Sequence, residues 1–326
     1  NELEEEKGIS KEVLLDAIKT ALVAAYKRDF GMSQNARVDI DETTGVLKVF
    51  AEKTVVDDVF DDTFEISLED ARKINMAYEL GDIIEEEVTP SSFGRIAAQL
   101  AKQVVVQRIR EAERGIIYEE FTSKEHEILT GIVSHIEPRT GSVSIRISSN
   151  SEFTEAMLAP NERIKTEELK EGDRIKVYVV EVRNSTRGPQ VLISRTHPGL
   201  VKRLFELEVP EIASGLVEIK SIAREAGSRT KLAVYASQDG IDPVGACVGT
   251  RGARVGAVVN ELHGEKMDII VWSEDPAKFV AAALSPADVK SVTLLPGSAK
   301  ACRVIVPDDQ LSLAIGKEGQ NARLAA

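Results

Sequence analysis

The sequence has little cysteine, histidine or aromatic side chain. Among 326 residues there are 2 cysteines and 4 histidines, and Phe, Trp and Tyr together make up 5%. Cys247 and Cys302 stand apart from each other and from every histidine, a pattern that favours reduced core thiols over a disulfide framework or a zinc site. The histidines show neither metal-ligand spacing nor a nucleophile motif. We therefore expect no metal, no other cofactor and no catalytic activity.

Long hydrophobic runs are also missing. Apolar stretches such as residues 22–26 and 269–272 are far shorter than the roughly 20 residues that a membrane span requires, and no signal-peptide pattern opens the chain. We expect a cytoplasmic protein without membrane contact. Because the chain begins at Asn1 and ends at Ala326 within helix-like sequence, we expect one or both ends to have been trimmed.

An excess of negative charge is confined to the first third of the chain. The formal net charge is −13, of which residues 1–120 carry −12, residues 121–200 carry none and residues 201–326 carry −1. An acidic chain is a poor ligand for a polyanion such as a nucleic acid. The last two thirds of the chain are nearly neutral, so their charge does not exclude nucleic-acid binding. Residues 57–70 hold seven carboxylates, for which we expect a solvated face and a candidate protein-docking surface.

The first third predicts an α/β domain. Apolar residues recur at helical spacing after Ser10, and alternating segments follow. Residues 91–110 predict a helix whose four basic residues more often form a solvated face than a nucleic-acid stripe. Residues 111–120 predict a domain boundary.

Five short alternating segments follow and predict a small closed β-barrel. Barrels of this type hold extended nucleic acid with stacked rings and basic side chains. The candidate contacts are Phe153, Arg146 and Arg195, with His135 and Tyr178 as further possibilities. A lone phenylalanine is also typical of a barrel core, so both interpretations of Phe153 stay open. The predicted strands are residues 128–136, 143–147, 153–158, 174–182 and 191–194.

A Gly-x-x-Gly loop occurs twice, 67 residues apart. Each copy lies between an apolar helical segment and a second helix. Paired glycines permit a tight reversal and let phosphates approach the backbone, as in the clamp of a KH module, which grips about four nucleotides. A single copy could be a simple helix-helix turn, but the recurrence favours the clamp. The copies are Gly249-Thr250-Arg251-Gly252 and Gly316-Lys317-Glu318-Gly319.

Strands predicted around the loops complete this hypothesis. Residues 216–222, 231–235 and 267–272 supply three strands for a KH domain of the bacterial type II topology, and residues 289–295 and 301–306 begin a second domain that lacks its last strand. The expected fold class is thus multidomain α+β.

At this point the sequence resembles the NusA family of bacterial transcription elongation, termination and antitermination factors. Run 242–255 is the most specific part of a similarity that spans the chain. The strings that carry it are Arg195-Thr196-His197-Pro198 and residues 208–212, 242–255 and 285–289.

The resemblance implies four domains: a polymerase-binding domain (1–122), an S1-type OB barrel (123–198), a first KH domain (199–284) and an incomplete second one (285–326). It implies that RNA polymerase binds the first domain and nascent single-stranded RNA binds the others. Both glycine loops would clamp phosphates, with flanking RNA contacts at Arg254, Asn321 and Arg323. Other antitermination factors would be further partners, and we expect a monomer because no apolar helix face is left over.

Two other interpretations stay open. RNA-degradation components, such as exosome caps or phosphorolytic ribonucleases, also combine barrel and KH modules, although in a different order or number. A structural ribosomal protein is disfavoured by the acidic first third, because such proteins are usually basic throughout.

Overall fold

The computed structural model describes residues 9–30, 35–41, 44–90, 93–148, 153–185, 188–295 and 301–326. The chain divides into two compact units, residues 1–116 and 117–326. No helix among the described residues is long and apolar enough to cross a membrane.

The first unit packs helices on a four-stranded sheet. The hydroxyl of Ser10 accepts the N–H of Val13 at 3.3 Å and starts the first helix. Strand β2 pairs antiparallel with β1 and β4 and parallel with β3. Leu22, Tyr26 and Phe93 anchor the core between sheet and helices. The elements are α1 Lys11–Phe30, β1 Asn35–Ile40, β2 Leu47–Val56, β3 Glu65–Ser67, α2 Leu68–Ile74, β4 Ile83–Glu87 and α3 Phe93–Thr122.

Helix α3 is longer than the sequence predicted. It runs without a break through residues 111–120, and the border between the two units falls inside it. The Oε1 atom of Glu111 accepts from Gln107 at 2.9 Å, and its Oε2 atom accepts from Arg108 at 3.0 Å, so local pairs support the helix across the predicted domain boundary. The four basic residues predicted within residues 91–110 are all exposed, as expected for a solvated face: Arg95, Lys102, Arg108 and Arg110.

The second unit begins with a closed five-stranded barrel, in the order β5-β6-β7-β9-β8. All five predicted strands are present. Their inward residues, such as Val133, Ile145 and Val177, form a core that Phe121 of α3 closes. The strands are β5 Ile128–Ile136, β6 Val143–Ser148, β7 Phe153–Leu158, β8 Arg174–Ser185 and β9 Gly188–Ser194.

The first KH module follows the barrel directly. Its sheet has the order β10-β11-β12, with β10 and β11 antiparallel and β11 and β12 parallel. The helices bury Leu200, Phe205 and Cys247 against this sheet, and burial raises the pKa of the Cys247 thiol to about 11. The elements are α4 Pro198–Glu208, α5 Pro210–Ala213, β10 Val217–Glu225, β11 Arg229–Ala236, α6 Pro243–Val248, α7 Ala253–Glu261 and β12 Lys266–Val271.

The second KH module repeats the strand pair and the helix pair. Its two strands are antiparallel. Cys302 is exposed on β14, so the prediction of a core position for this cysteine is wrong. A two-stranded sheet shields fewer of its side chains than the three-stranded sheet of the first module. The elements are α8 Pro276–Ala283, β13 Ser291–Leu294, β14 Cys302–Ile305, α9 Leu311–Ile315 and α10 Gln320–Ala325.

Helix α9 leaves apolar side chains uncovered. Leu311, Leu313 and Ile315 are all exposed. The premise behind the expected monomer, that no apolar helix face is left over, is therefore wrong. The monomeric state itself stays a prediction.

Candidate nucleic-acid interface

The two glycine loops have the same backbone conformation. Gly249 has φ 73° and ψ 175°, against 75° and 170° for Gly316. Gly252 has φ 76° and ψ 17°, against 76° and 11° for Gly319. The third residue of each loop is also left-handed, with φ 54° at Arg251 and φ 53° at Glu318. Identical spacing thus produces identical geometry in both modules.

The first glycine of each loop is required by its conformation and its packing. A φ near +75° with ψ near 170° is open almost only to glycine. A Cβ on Gly249 would lie 2.7 Å from the Cγ atom of Arg254, and one on Gly316 would lie 2.7 Å from the backbone N of Asn321. The loop backbone is therefore held tightly against the helix that follows it.

The outer side of each loop is open. The amide of Gly252 donates to the carbonyl of Gly249 at 3.1 Å, and Gly319 donates to Gly316 at the same distance. These bonds close each turn. The four side chains between the glycines are exposed: Thr250, Arg251, Lys317 and Glu318. Each loop thus presents accessible backbone and one basic side chain, as a phosphate clamp requires.

Arg254 and Asn321 occupy the same position in the two modules and close the preceding helix. The Nη1 atom of Arg254 donates to the carbonyl of Ala246 at 2.6 Å and to Glu211 at 2.9 Å. The Nδ2 atom of Asn321 donates to the carbonyl of Leu313, the counterpart of Ala246, at 3.2 Å.

Because the Asn321 side chain is buried, the expectation that it contacts RNA is wrong. Its amide also donates to the carbonyls of Leu284 and Ala314. It joins the helices on either side of the loop.

The barrel brings a ring and a cation together on its outer surface. Phe153 on β7 is 65% exposed, so the core interpretation is wrong. The guanidinium carbon of Arg146 on β6 lies 5.7 Å from its ring centroid. Met157, two positions beyond Glu155 on the same outward row of β7, is exposed too. The period-two alternation puts Met157 on the same face of β7 as Phe153, so the sequence could have named the two residues together.

Arg195 is a buried interdomain residue, so the expectation that it contacts RNA is wrong. Its side chain has no exposed surface, and its Nε atom donates to Glu167 at 3.1 Å. Its Nη1 atom donates to the carbonyl of Lys176 at 2.6 Å and to Glu261 of α7 at 3.1 Å. Glu167 also lies 2.7 Å from the Nδ1 atom of His263. This buried cluster joins the barrel to the first KH module.

Tyr178 is also buried at this junction. Its ring stacks on His197 with centroids 4.6 Å apart and planes at 5°, and its hydroxyl lies 3.2 Å from Nδ1 of His126. Tyr178 is therefore unavailable for base stacking, whereas His135 is exposed beside Glu171.

His197 starts the first helix of the KH module. Its Nδ1 atom accepts the N–H of Gly199 at 2.9 Å. Burial lowers the pKa of His197, in keeping with a neutral ring that acts as the helix cap.

Known protein families match three parts of the chain, in the order N-terminal domain, first KH domain and second KH domain. Residues 1–115 match the NusA N-terminal domain, residues 195–272 the NusA-like first KH domain and residues 276–326 the NusA-like second KH domain. The transcription termination/antitermination protein NusA of Bacillus subtilis (strain 168) is 57% identical over 324 residues, which cover 99% of this chain and 85% of that protein. The chain belongs to the NusA family.

Two further comparisons agree with this assignment, one over nearly the whole chain and one over the first domain. The protein of that name from Halalkalibacterium halodurans is 56% identical, covering 99% of this chain and 83% of its own. The solution structure of the N-terminal domain of NusA from B. subtilis is 60% identical over 34% of this chain and 90% of that one, with a TM-score of 0.32. Membership of this transcription termination/antitermination family replaces the RNA-degradation and ribosomal interpretations.

Proposed function

We propose that this transcription termination/antitermination protein binds RNA polymerase through residues 1–122 and nascent single-stranded RNA through the barrel and both KH modules. In doing so it promotes pausing and hairpin-dependent termination and joins other factors in antitermination. The observation that carries the RNA half is the pair of glycine loops with matching backbone angles, each with one exposed cation.

The proposed RNA surface combines two kinds of contact. The loops hold phosphates through backbone amides, with Arg251 and Lys317 beside them. On the barrel, Phe153 offers a ring face for base stacking, with Arg146 as its cationic neighbour. Both contacts tolerate many sequences, because every nucleotide has a phosphate and a ring face.

The proposed polymerase surface lies in the acidic part of the first unit. Residues 57–87 carry twelve carboxylates and two basic residues. Phe60 and Met76 in this segment are each about nine-tenths exposed. Large apolar side chains among carboxylates suit a partner surface with apolar residues and a basic rim.

Tethering explains how weak clamps become useful. A protein held on the polymerase keeps its RNA modules at a high effective concentration beside the emerging transcript. A clamp that grips about four nucleotides then captures RNA that it would rarely retain in free solution. Retention of the transcript at this position is the step by which we infer that pauses are prolonged.

Paired glycine substitutions test the RNA half. We expect the double variant Gly252→Asp, Gly319→Asp to bind short unstructured RNA at least tenfold more weakly, because each new carboxylate repels a phosphate. The matched control is Gly215→Asp, Gly240→Asp, which adds the same charge at two positive-φ glycines with open surroundings. Equal affinity of both double variants would refute the clamp.

A pause assay with purified polymerase tests the whole proposal. The unmodified protein should lengthen the lifetime of a hairpin pause, and the loop variant should lose most of this effect while still co-purifying with polymerase. Phe60→Ser with Met76→Ser should show the reverse, retaining RNA binding and losing polymerase. Val46→Ser, at another exposed apolar position of the first unit, is the control. No change in pause lifetime with the unmodified protein would overturn the proposal.

A further inference from the structure

The second glycine loop is held by a side chain that the first loop does not have. Arg323 lies on α10, just after the loop, and its Nη1 atom donates to the backbone carbonyl of Glu318 inside the loop. Glu318 has φ 53°, a conformation that costs a residue with a Cβ free energy. A donor on its carbonyl helps to hold the loop in this conformation.

Arg323 is in turn held by the first KH module. Its Nη2 and Nε atoms donate to Oε1 of Glu225, at 2.9 Å and 3.1 Å. Glu225 is the last residue of β10. One guanidinium therefore joins a carboxylate of the first module to the loop backbone of the second.

A neighbouring side chain also joins α10 to the hairpin that β10 and β11 form. The Nε2 atom of Gln320 donates to Oε2 of Glu225 and to Oγ of Ser228, both at 2.7 Å. Both oxygens of Glu225 are thus used by the helix that follows the second loop. The contacts with Gln320 and Arg323 also lower the pKa of Glu225.

Among the residues that the structure describes, none gives the first loop an equivalent contact from another module. At the 67-residue offset, Arg323 corresponds to Gly256 and Gln320 to Ala253, neither of which has a side chain that reaches a carbonyl. In the first module the Arg254 side chain packs beside Gly249 and donates to the carbonyl of Ala246 in α6, so these contacts stay within one module. The support for the second loop therefore crosses between modules.

We propose that Glu225 of the first KH module sets the conformation of the second glycine loop through Arg323, so that RNA affinity at the second clamp depends on the first module. This inference rests on the proposed RNA-binding function. Arg323 is then a positioning residue, with its guanidinium committed to Glu225 and to the loop backbone.

Replacing Glu225 with the uncharged glutamine, which has nearly the same shape, tests the coupling. Glu225→Gln removes a negative charge, which by itself favours RNA, yet we expect affinity for short unstructured RNA to fall about fivefold, the equivalent of one net hydrogen bond. The control is Glu218→Gln on the same strand, which pairs with Lys220 and not with the loop. It makes the same charge change and should bind RNA as well as the unmodified protein or slightly better.

Combination with the loop variants separates coupling from general damage. Glu225→Gln should retain its effect in the Gly252→Asp background and lose it in the Gly319→Asp background, because only the second clamp depends on the contact. An equal effect in both backgrounds, or none in the unmodified protein, overturns the coupling. If Gly319→Asp itself leaves affinity unchanged, the second clamp fails instead.

Arg323→Lys distinguishes positioning from direct contact. Lysine keeps the charge but cannot join Glu225 and the loop carbonyl in the same geometry. We expect it to weaken RNA binding as much as Glu225→Gln does, and the double variant to be no weaker than either single variant. Near-normal affinity of Arg323→Lys would show that Arg323 acts by charge on RNA and would overturn the positioning role.

Discussion

Arg195 shows how one residue can join two domains. Its guanidinium is bonded to carboxylates and carbonyls from both the barrel and the first KH module, with no exposed surface. A buried charge is tolerated only when it is fully paired. Removing either partner of the Arg195–Glu167 pair should therefore lower the free energy of unfolding by more than an exposed pair contributes to it.

We expect Arg195→Met to lower the free energy of unfolding of this unit by about 3–5 kcal/mol, because Glu167 would remain buried with its main cation removed. The fluorescence of Trp272, the chain's single tryptophan, reports unfolding in urea. Arg183→Ala, which breaks the exposed pair with Glu181, should leave the free energy of unfolding almost unchanged, because solvent screens an exposed pair. Similar losses for both variants would contradict the structural role of Arg195.

His197 predicts a pH dependence of stability. Because burial lowers the folded-state pKa below 6.5, only the unfolded chain takes up this proton as the pH first falls below 6.5, and the free energy of unfolding decreases until the folded-state pKa is reached. His197→Asn keeps a helix cap without a titrating ring. We expect it to flatten this part of the pH profile, measured by urea unfolding. An unchanged slope would contradict the prediction.

At the scale of elements, each glycine loop combines two different backbone demands. The first glycine has a conformation almost closed to other residues and touches the next helix, whereas a Cβ on Gly252 would have Val255 as its nearest neighbour, at 3.9 Å. The second glycine is left-handed but uncrowded. We therefore expect a substitution of the second glycine to disturb the proposed RNA binding more than it disturbs folding.

We expect Gly252→Ala to lower the free energy of unfolding by about 1 kcal/mol, because the only penalty is that of placing alanine in a left-handed backbone conformation. Gly249→Ala should cost about 3 kcal/mol, because its ψ near 175° adds strain and its Cβ meets Arg254. Trp272 fluorescence in urea measures both, since the tryptophan follows β12 of the same module. Equal losses at the two positions would show that the crowding at Gly249 is relieved without cost.

At the scale of the whole molecule, charge is divided between the two units. Nearly all of the net −13 lies in residues 1–120, in the unit that we assign to polymerase. The proposed RNA-binding part is almost neutral and presents isolated cations, among them Arg146, Arg251 and Lys317. Local contacts rather than a general electrostatic field should therefore hold the RNA.

This division predicts a moderate salt dependence. With about three to five phosphate contacts, the logarithm of RNA affinity should fall with the logarithm of salt concentration with a slope of about −2 to −4. Fluorescence anisotropy of labelled RNA over a range of KCl concentrations measures it. A slope steeper than about −6 would mean that many more cations face the RNA than the charge distribution suggests.

The sequence alone determined the repeated part of this protein. The loops at Gly249 and Gly316 share a local pattern, and their local spacing predicts helix, turn and helix in both modules. The barrel strands were predicted for the same reason, since alternation and turn residues are properties of neighbours in the chain. The sequence could name Phe153 as a candidate RNA contact, but it could not predict that the Phe153 side chain is exposed.

Only the tertiary structure decided what the polar side chains near these motifs do. Arg195 has the same local sequence whether it faces solvent or a carboxylate of the next domain. The buried role of Asn321 on α10 depends on carbonyls at the end of α8 and in α9. Glu225 and Arg323 are 98 residues apart. A contact of that kind arises from the packing of one module on another, because the partners are chosen by position in space rather than by spacing along the chain.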